Sequence, residues 1–67
     1  MALTDEGWQL VNENTPRGVW LRTKREGEDG ENVCALVTYD EEWVEKSTGR
    51  TTVTHHSFAA PTHWRPL

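Results

Sequence analysis

Hydrophobic and polar residues alternate along much of this chain, which is the pattern of β-strands that bury one face. In the first such segment, Val19, Leu21 and Thr23 fall on one face. Arg22 and Lys24 fall on the other face. This segment therefore predicts a strand with one face in the core and one charged face in solvent.

A second strand is predicted over residues 33–39, which are rich in β-forming side chains. We expect its larger alternating set to share the core face with Leu21: Val33, Ala35, Val37 and Tyr39. Cys34 and Leu36 would then face the other way. On this assignment Trp20 and Arg22 project from the side opposite the core. Trp20 can then be buried only if a second layer, such as the C-terminal tail or a partner subunit, covers that side.

Shorter elements complete the predicted sheet. Residues 8–11 are expected to form a short edge strand or an irregular segment anchored by Trp8, and residues 43–45 and 51–58 two more strands. Polar, glycine-containing stretches predict the loops and turns between strands: 26–32, 40–41 and 47–50. A single helical turn is expected to start at Thr4, and Pro16 ends any helix before Val19.

These patterns predict a mainly β fold. We expect one small domain over residues 1–67, built as an antiparallel meander of three to four strands, for which an SH3-like curl is one form. The chain closes on APTHWRPL, residues 60–67, where Trp64 stands between Pro61 and Pro66. Prolines favour an extended conformation and reduce the entropy lost on docking, so we expect a tail docked on the sheet rather than a free binding peptide.

Composition narrows the functional classes. The net charge of −4 argues against a nucleic-acid-binding protein held by phosphate contacts, and a single cysteine excludes a disulfide within the monomer. Four tryptophans are expected to enlarge the core of so short a chain. No apolar run approaches membrane-spanning length and the N-terminus lacks a secretory pattern, so we expect no membrane association and a cytoplasmic location.

Three stretches resemble a family of small phage and prophage proteins of unknown function: GWQLVNENTPRGVWL, VTYDEEWVEKSTGR and PTHWRPL. The matching positions are Trp8, Val11, Pro16, Tyr39, Trp43 and residues 62–67. Thr15 departs from the pattern, because the family usually has leucine before the proline. The resemblance implies a phage-type origin, hence the host bacterial cytosol, and a compact β-rich fold; it implies no activity.

Few residues are suited to catalysis or metal binding. The histidines and the cysteine lack the paired spacing of a zinc site, although His63, Cys34, one of His55 and His56, and Asp40 could be combined into one. Cys34 lies in an apolar strand, where a buried and unreactive thiol is expected. We therefore expect no cofactor and no enzymatic activity, with a small metal- or thiol-dependent enzyme as the weakest alternative.

Binding to another protein is the favoured function. Trp and Arg are enriched at the energetic centres of interfaces, which makes four residues the predicted contact surface: Trp20, Arg22, Trp64 and Arg65. The partner would be a host or phage protein whose process, such as defence, is modulated; a homodimer is an alternative. The second alternative is a mimic of nucleic acid that presents two adjacent carboxylate loops at one end of the sheet: Glu26, Glu28, Asp29, Glu31, Asp40, Glu41 and Glu42.

Overall fold

The described part of the chain folds as a five-stranded antiparallel sheet with almost no helix. A computed structural model describes residues 7–53 and 58–67. In chain order the strands are β1 (Gln9–Leu10), β2 (Leu21–Lys24), β3 (Asn32–Leu36), β4 (Trp43–Glu45) and β5 (His63–Pro66). Their spatial order is β1-β5-β2-β3-β4, so the predicted mainly β fold and its meander, β2-β3-β4, are confirmed. The sheet has one strand more than the upper estimate.

The C-terminal tail supplies that additional strand. β5 lies between β1 and β2 and pairs with both, so the tail is docked as an interior strand of the sheet. Thr62 secures its start: its amide donates to the carbonyl of Lys24 at 3.0 Å, and its carbonyl accepts from the amide of Val11 at 2.9 Å. Pro66 is the last residue of the strand, where a missing amide costs least.

One face of the sheet carries the core. The register places Leu21 opposite Cys34 and Leu36 opposite Trp43, and directly opposed residues point to the same side. The buried residues of this core face are Leu21, Thr23, Cys34, Leu36, Trp43, Glu45 and Trp64. Val11 and Phe58 pack against them.

The predicted orientation of the second strand was wrong. Cys34 and Leu36 are the buried set of β3, whereas Val33 lies opposite the exposed Arg22. Tyr39 follows the strand and is exposed, as is Val19 before β2. Both alternating sets of this strand are apolar, so only the pairing register decides which set is buried.

Other predicted elements have mixed outcomes. The edge strand near Trp8 is confirmed as β1. Of the strand predicted over 51–58, the described residues contain only a bridge between Val44 and Thr51. Residues 54–57 and the helical turn at Thr4 lie outside the described residues. Thr15 is buried without costing a hydrogen bond, since its hydroxyl accepts from the amide of Asn12 at 2.9 Å.

Candidate functional site

The face opposite the core is the candidate binding surface. Alternation along the strands and cross-strand pairing put Arg22 with Val33 and Arg65, and Ala35 with Val44, on this side. These strand residues are exposed or half-buried. We call this surface the outer face and include the residues that extend it: Trp20, Arg22, Lys24, Val33, Ala35, Val44, Lys46 and Arg65.

Trp20 provides the large aromatic side chain of the outer face. It precedes Leu21, so it lies on the side of Arg22, and it remains 39% exposed. The Nζ of Lys46 lies 5.7 Å from the centroid of its ring, within the range of a cation–π contact. The amide of Lys46 donates to the carbonyl of Val33 at 2.9 Å, which fixes this lysine beside β3.

The arginines of the outer face share one carboxylate. Arg22 Nε lies 3.5 Å from Glu31 Oε1, and Arg65 Nη2 lies 4.0 Å from Glu31 Oε2. Both are long contacts between partly exposed groups, and such pairs contribute little to stability. Glu31 therefore aligns two guanidinium groups on the outer face, and that of Arg22, whose side chain is 45% exposed, is the more accessible to a partner.

Trp8 covers one end of the outer face. Its ring is buried beneath two cations: Lys24 Nζ lies 5.3 Å and Arg65 Cζ 4.8 Å from the ring centroid. The sequence predicted that large side chains on both sides of the sheet would each need to be covered. At this end of the sheet they are, because Trp8 is buried on the outer side and Trp64 in the core. Trp64 is buried, so of the four predicted partner-binding residues it adds core area rather than exposed surface.

The acidic residues do not form one surface. Glu26, Glu28 and Asp29 lie in the β2–β3 loop, whereas Asp40, Glu41 and Glu42 lie between β3 and β4. Consecutive loops of a meander lie at opposite ends of the sheet, so the prediction that these loops are adjacent was wrong. The five residues of β3 separate them by roughly 16 Å.

Several of these carboxylates are also partly neutralised. Glu28 pairs with Arg25 at 3.1 Å. Glu41 pairs with Arg17, whose Nη1 also donates to the carbonyls of Val37 and Asp40, each at 2.8 Å. Arg17 thereby connects the β3–β4 loop to the segment before β2. Its positive charge offsets part of the negative charge with which this loop would imitate phosphates.

Glu45 has the most perturbed acid–base behaviour among the described residues. Its buried carboxylate accepts from Thr48 Oγ1 at 2.5 Å, from the side-chain Nδ2 of Asn32, and from Arg50 Nε at 2.9 Å. These hydrogen bonds, led by the one from Thr48, lower the pKa of Glu45 to about 2. A carboxylate so fully satisfied joins β3, β4 and the turn after β4, and has no poised proton for catalysis.

Cys34 is not arranged as a nucleophile. Burial raises the pKa of its thiol, with the nearby Glu45 charge adding to the effect and a hydrogen bond with Thr23 opposing it. A buried thiol with a raised pKa is mostly protonated and unreactive. The cleft that Cys34 helps to line, with Thr23, Asn32 and Phe58, holds about 280 Å³, which is at the low limit of ligand pockets.

The alternative of a metal site was drawn from His63, Cys34, Asp40 and one of His55 and His56. Within residues 7–53 and 58–67, no three His, Cys, Asp or Glu side chains come together to hold a metal ion. His63 is buried in β5, where its Nδ1 lies 2.8 Å from the Thr62 hydroxyl. His55 and His56 lie outside the described residues.

Comparison of the chain with protein-family models, with curated proteins and with solved structures finds no match. The resemblance to phage proteins therefore stays a prediction. Among the described residues, no helix is long and apolar enough to cross a membrane.

Sequence reasoning identified part of the outer face and missed the rest. It singled out Trp20, Arg22 and Arg65, which the sheet brings to one side. It missed Lys46, whose position in a turn gives no alternation to follow. It also missed Val44, whose place on this face depends on pairing with Ala35. The relevant signal is the register between strands, which a single sequence specifies poorly.

Proposed function

We propose that this protein is a non-enzymatic phage accessory protein that binds a host or phage protein through its outer face. In this proposal it acts in the cytosol of the bacterial host and modulates a host process such as defence. The phage setting comes from the sequence resemblance alone. The binding role is argued from the residues of the sheet.

The exposure of Trp20 is the observation that carries the proposal. The other three tryptophans, Trp8, Trp43 and Trp64, are buried. A small domain gains stability from each aromatic side chain that it buries, so leaving one at 39% exposure forgoes that gain. Tryptophan with adjacent arginine is the composition typical of interface hot spots.

The rigidity of the surface supports the same role. Arg22 lies in β2, and Trp20 immediately precedes this strand. β2 is paired on both sides, with β5 and with β3. Side chains on an interior strand lose little further backbone freedom on binding, and preorganised surfaces bind more tightly for the same area. An interface centred on β2 would therefore form at low entropic cost.

The test is affinity capture from a bacterial lysate with wild-type protein and Trp20→Ala. We expect a discrete protein to be retained by wild type and lost with the variant. Retention should persist from about 0.1 M to about 1 M salt, across which the Debye length falls from about 10 Å to about 3 Å, because an aromatic anchor is weakly screened. Identification by mass spectrometry then names the partner.

Tyr39→Ala is the matched control, because Tyr39 is an aromatic residue that is 79% exposed and lies outside the strands. Capture that survives Trp20→Ala but fails with Tyr39→Ala would contradict the proposal. Capture of many nucleic-acid-binding proteins, all released at high salt, would instead support the alternative of acidic mimicry. Loss of capture on chelation would support the metal alternative.

A further inference from the structure

The basic residues of this acidic protein are concentrated on the outer face. The chain has seven Lys and Arg against eleven Asp and Glu. Four of those seven lie on the outer face: Arg22, Lys24, Lys46 and Arg65. Glu31 is in ion-pair contact with two of them, Arg22 and Arg65. A protein with a net charge of −4 thus presents one cationic surface, and that surface contains Trp20.

Acidic loops limit this cationic surface at both ends. The β2–β3 loop contributes Glu26, Glu28 and Asp29 at one end, and the β3–β4 loop contributes Asp40 and Glu41 at the other. The distance between the ends, about 16 Å along β3, corresponds to roughly ten residues of α-helix or five of strand. Four adjacent strands, β5 to β4, give a width of about 14 Å.

These dimensions favour a short acidic segment over a nucleic acid. A phosphate backbone that runs along the strands and continues beyond the outer face would pass a carboxylate loop at either end and be repelled. A protein segment can place its acidic residues within the cationic area and neutral or basic residues beyond it. An apolar side chain on such a segment would contact Trp20 and the half-buried Val33 and Val44.

A second copy of the chain is the less suitable occupant. A symmetric dimer places the same patch of each subunit against the other. The four cations of one outer face would then oppose the four of its partner, and Glu31 on each side would offset part of this charge. Like charges brought together at an interface cost several kcal/mol, so this face selects against itself.

We propose that the outer face recognises a short acidic and apolar segment of its protein partner, with Arg22, Lys46 and Arg65 contacting carboxylates and Trp20 an apolar side chain. This inference rests on the proposed binding function and specifies the chemistry of the partner. It predicts that charge on this face adds to the affinity supplied by the aromatic ring, so retention at about 1 M salt should be weaker but, because the contact of Trp20 is little screened, not abolished.

Nuclear magnetic resonance titration of the labelled protein tests this. The probes are a short peptide of glutamate and leucine and an oligothymidylate of equal charge. We expect the peptide to shift the indole signal of Trp20 and the amide signals of Arg22 and Lys46, and to bind more tightly than the oligothymidylate. Arg22→Glu should weaken peptide binding by about 2- to 30-fold, since it removes one exposed ion pair and adds one repulsion.

Arg25→Glu is the matched control. Arg25 and Arg22 are similarly exposed, 49% and 45%, and each pairs with a glutamate, but Arg25 lies in the acidic loop. The control should leave peptide affinity nearly unchanged, and thermal unfolding of each variant checks that it folds. Shifts confined to other surfaces, equal loss with both variants, or tighter binding of the oligothymidylate would each overturn the inference. Capture that depends on Trp20 but not on Arg22 would leave the proposed function intact and refute only the acidic partner.

Discussion

The hydrogen-bonded carboxylate of Glu45 provides a quantitative test of the structure. This side chain is 8% exposed and joins Asn32 of β3 to Thr48 and Arg50 of the following turn. Glu45→Gln keeps the shape but removes the charge, and it presents an amide donor to groups that are themselves donors. We therefore expect the substitution to weaken every contact of this network at once.

The magnitude follows from the pKa. A value lowered from 4.5 to about 2 corresponds to at most about 3 kcal/mol, since a tenfold change in proton binding is worth about 1.4 kcal/mol. Arg50 is 39% exposed, so solvent screens part of its interaction with Glu45. We expect Glu45→Gln to lower the free energy of unfolding by about 1–3 kcal/mol at neutral pH.

The pH dependence has a defined sign. Because the pKa of Glu45 is lower in the folded state, its contribution is complete above the unfolded value of about 4.5 and is lost as the pH falls toward 2. Urea unfolding followed by tryptophan fluorescence, from pH 7 down to about 2.5, measures this. The difference between wild type and Glu45→Gln should shrink over that range.

Glu28→Gln is the control, because Glu28 forms an exposed ion pair and should change stability by no more than about 0.5 kcal/mol. If Glu45→Gln costs no more than Glu28→Gln, the network does not stabilise the fold as described. A difference that stays constant down to pH 2.5 would likewise contradict the assigned ionisation of Glu45.

Three other substitutions or modifications test the fold. Trp64→Ala should lower the free energy of unfolding by about 3–5 kcal/mol, a large fraction of the roughly 3–10 kcal/mol expected for this chain length, and Trp64→Phe should lower it less. A loss with Trp64→Ala no larger than with Trp64→Phe, measured by urea unfolding, would contradict the burial of Trp64 in the core. The Cys34 thiol should react with a disulfide reagent at least about a hundredfold more slowly in the native state than in urea, and equal rates would show that it is exposed. Gly18→Ala should lower the melting temperature, measured by circular dichroism, more than Gly27→Ala does. Both glycines have a positive φ, 73° and 83°, but of the two only at Gly18 would an added Cβ meet a neighbour, 2.9 Å from Thr38 Cγ2. Equal melting temperatures would refute that contact.

The strands were predictable where local chemistry decides them. Leu21 and Thr23 alternate with charged neighbours, so the buried face of β2 follows from residue type alone. β3 offers two apolar sets, and the choice of Cys34 over Val33 depends on the register with β2, which sequence leaves open. The insertion of β5 between β1 and β2 could likewise not be predicted, because it pairs residues that lie between 39 and 55 positions apart in the sequence.

The candidate site was predictable to the same extent. Trp20 and Arg22 were predicted because Arg22 lies in β2 and Trp20 directly precedes this strand, so alternation places both on one side. The acidic loops were misplaced because proximity in space was inferred from shared charge, whereas the direction of β3 puts them at opposite ends. Lys46 follows β4 and contacts the ring of Trp20, which is distant in the sequence, so no local pattern predicts this contact.

Site-specific photo-cross-linking in bacterial cells tests the central claim most directly. A photoreactive amino acid replaces Val44 on the outer face or, in separate variants, Tyr39 or Glu28 in the loops. We predict a discrete cross-linked protein from position 44 that disappears when Trp20→Ala is added, and none from position 39. Cross-linking from position 28 or 39 with none from position 44 would contradict binding through the outer face.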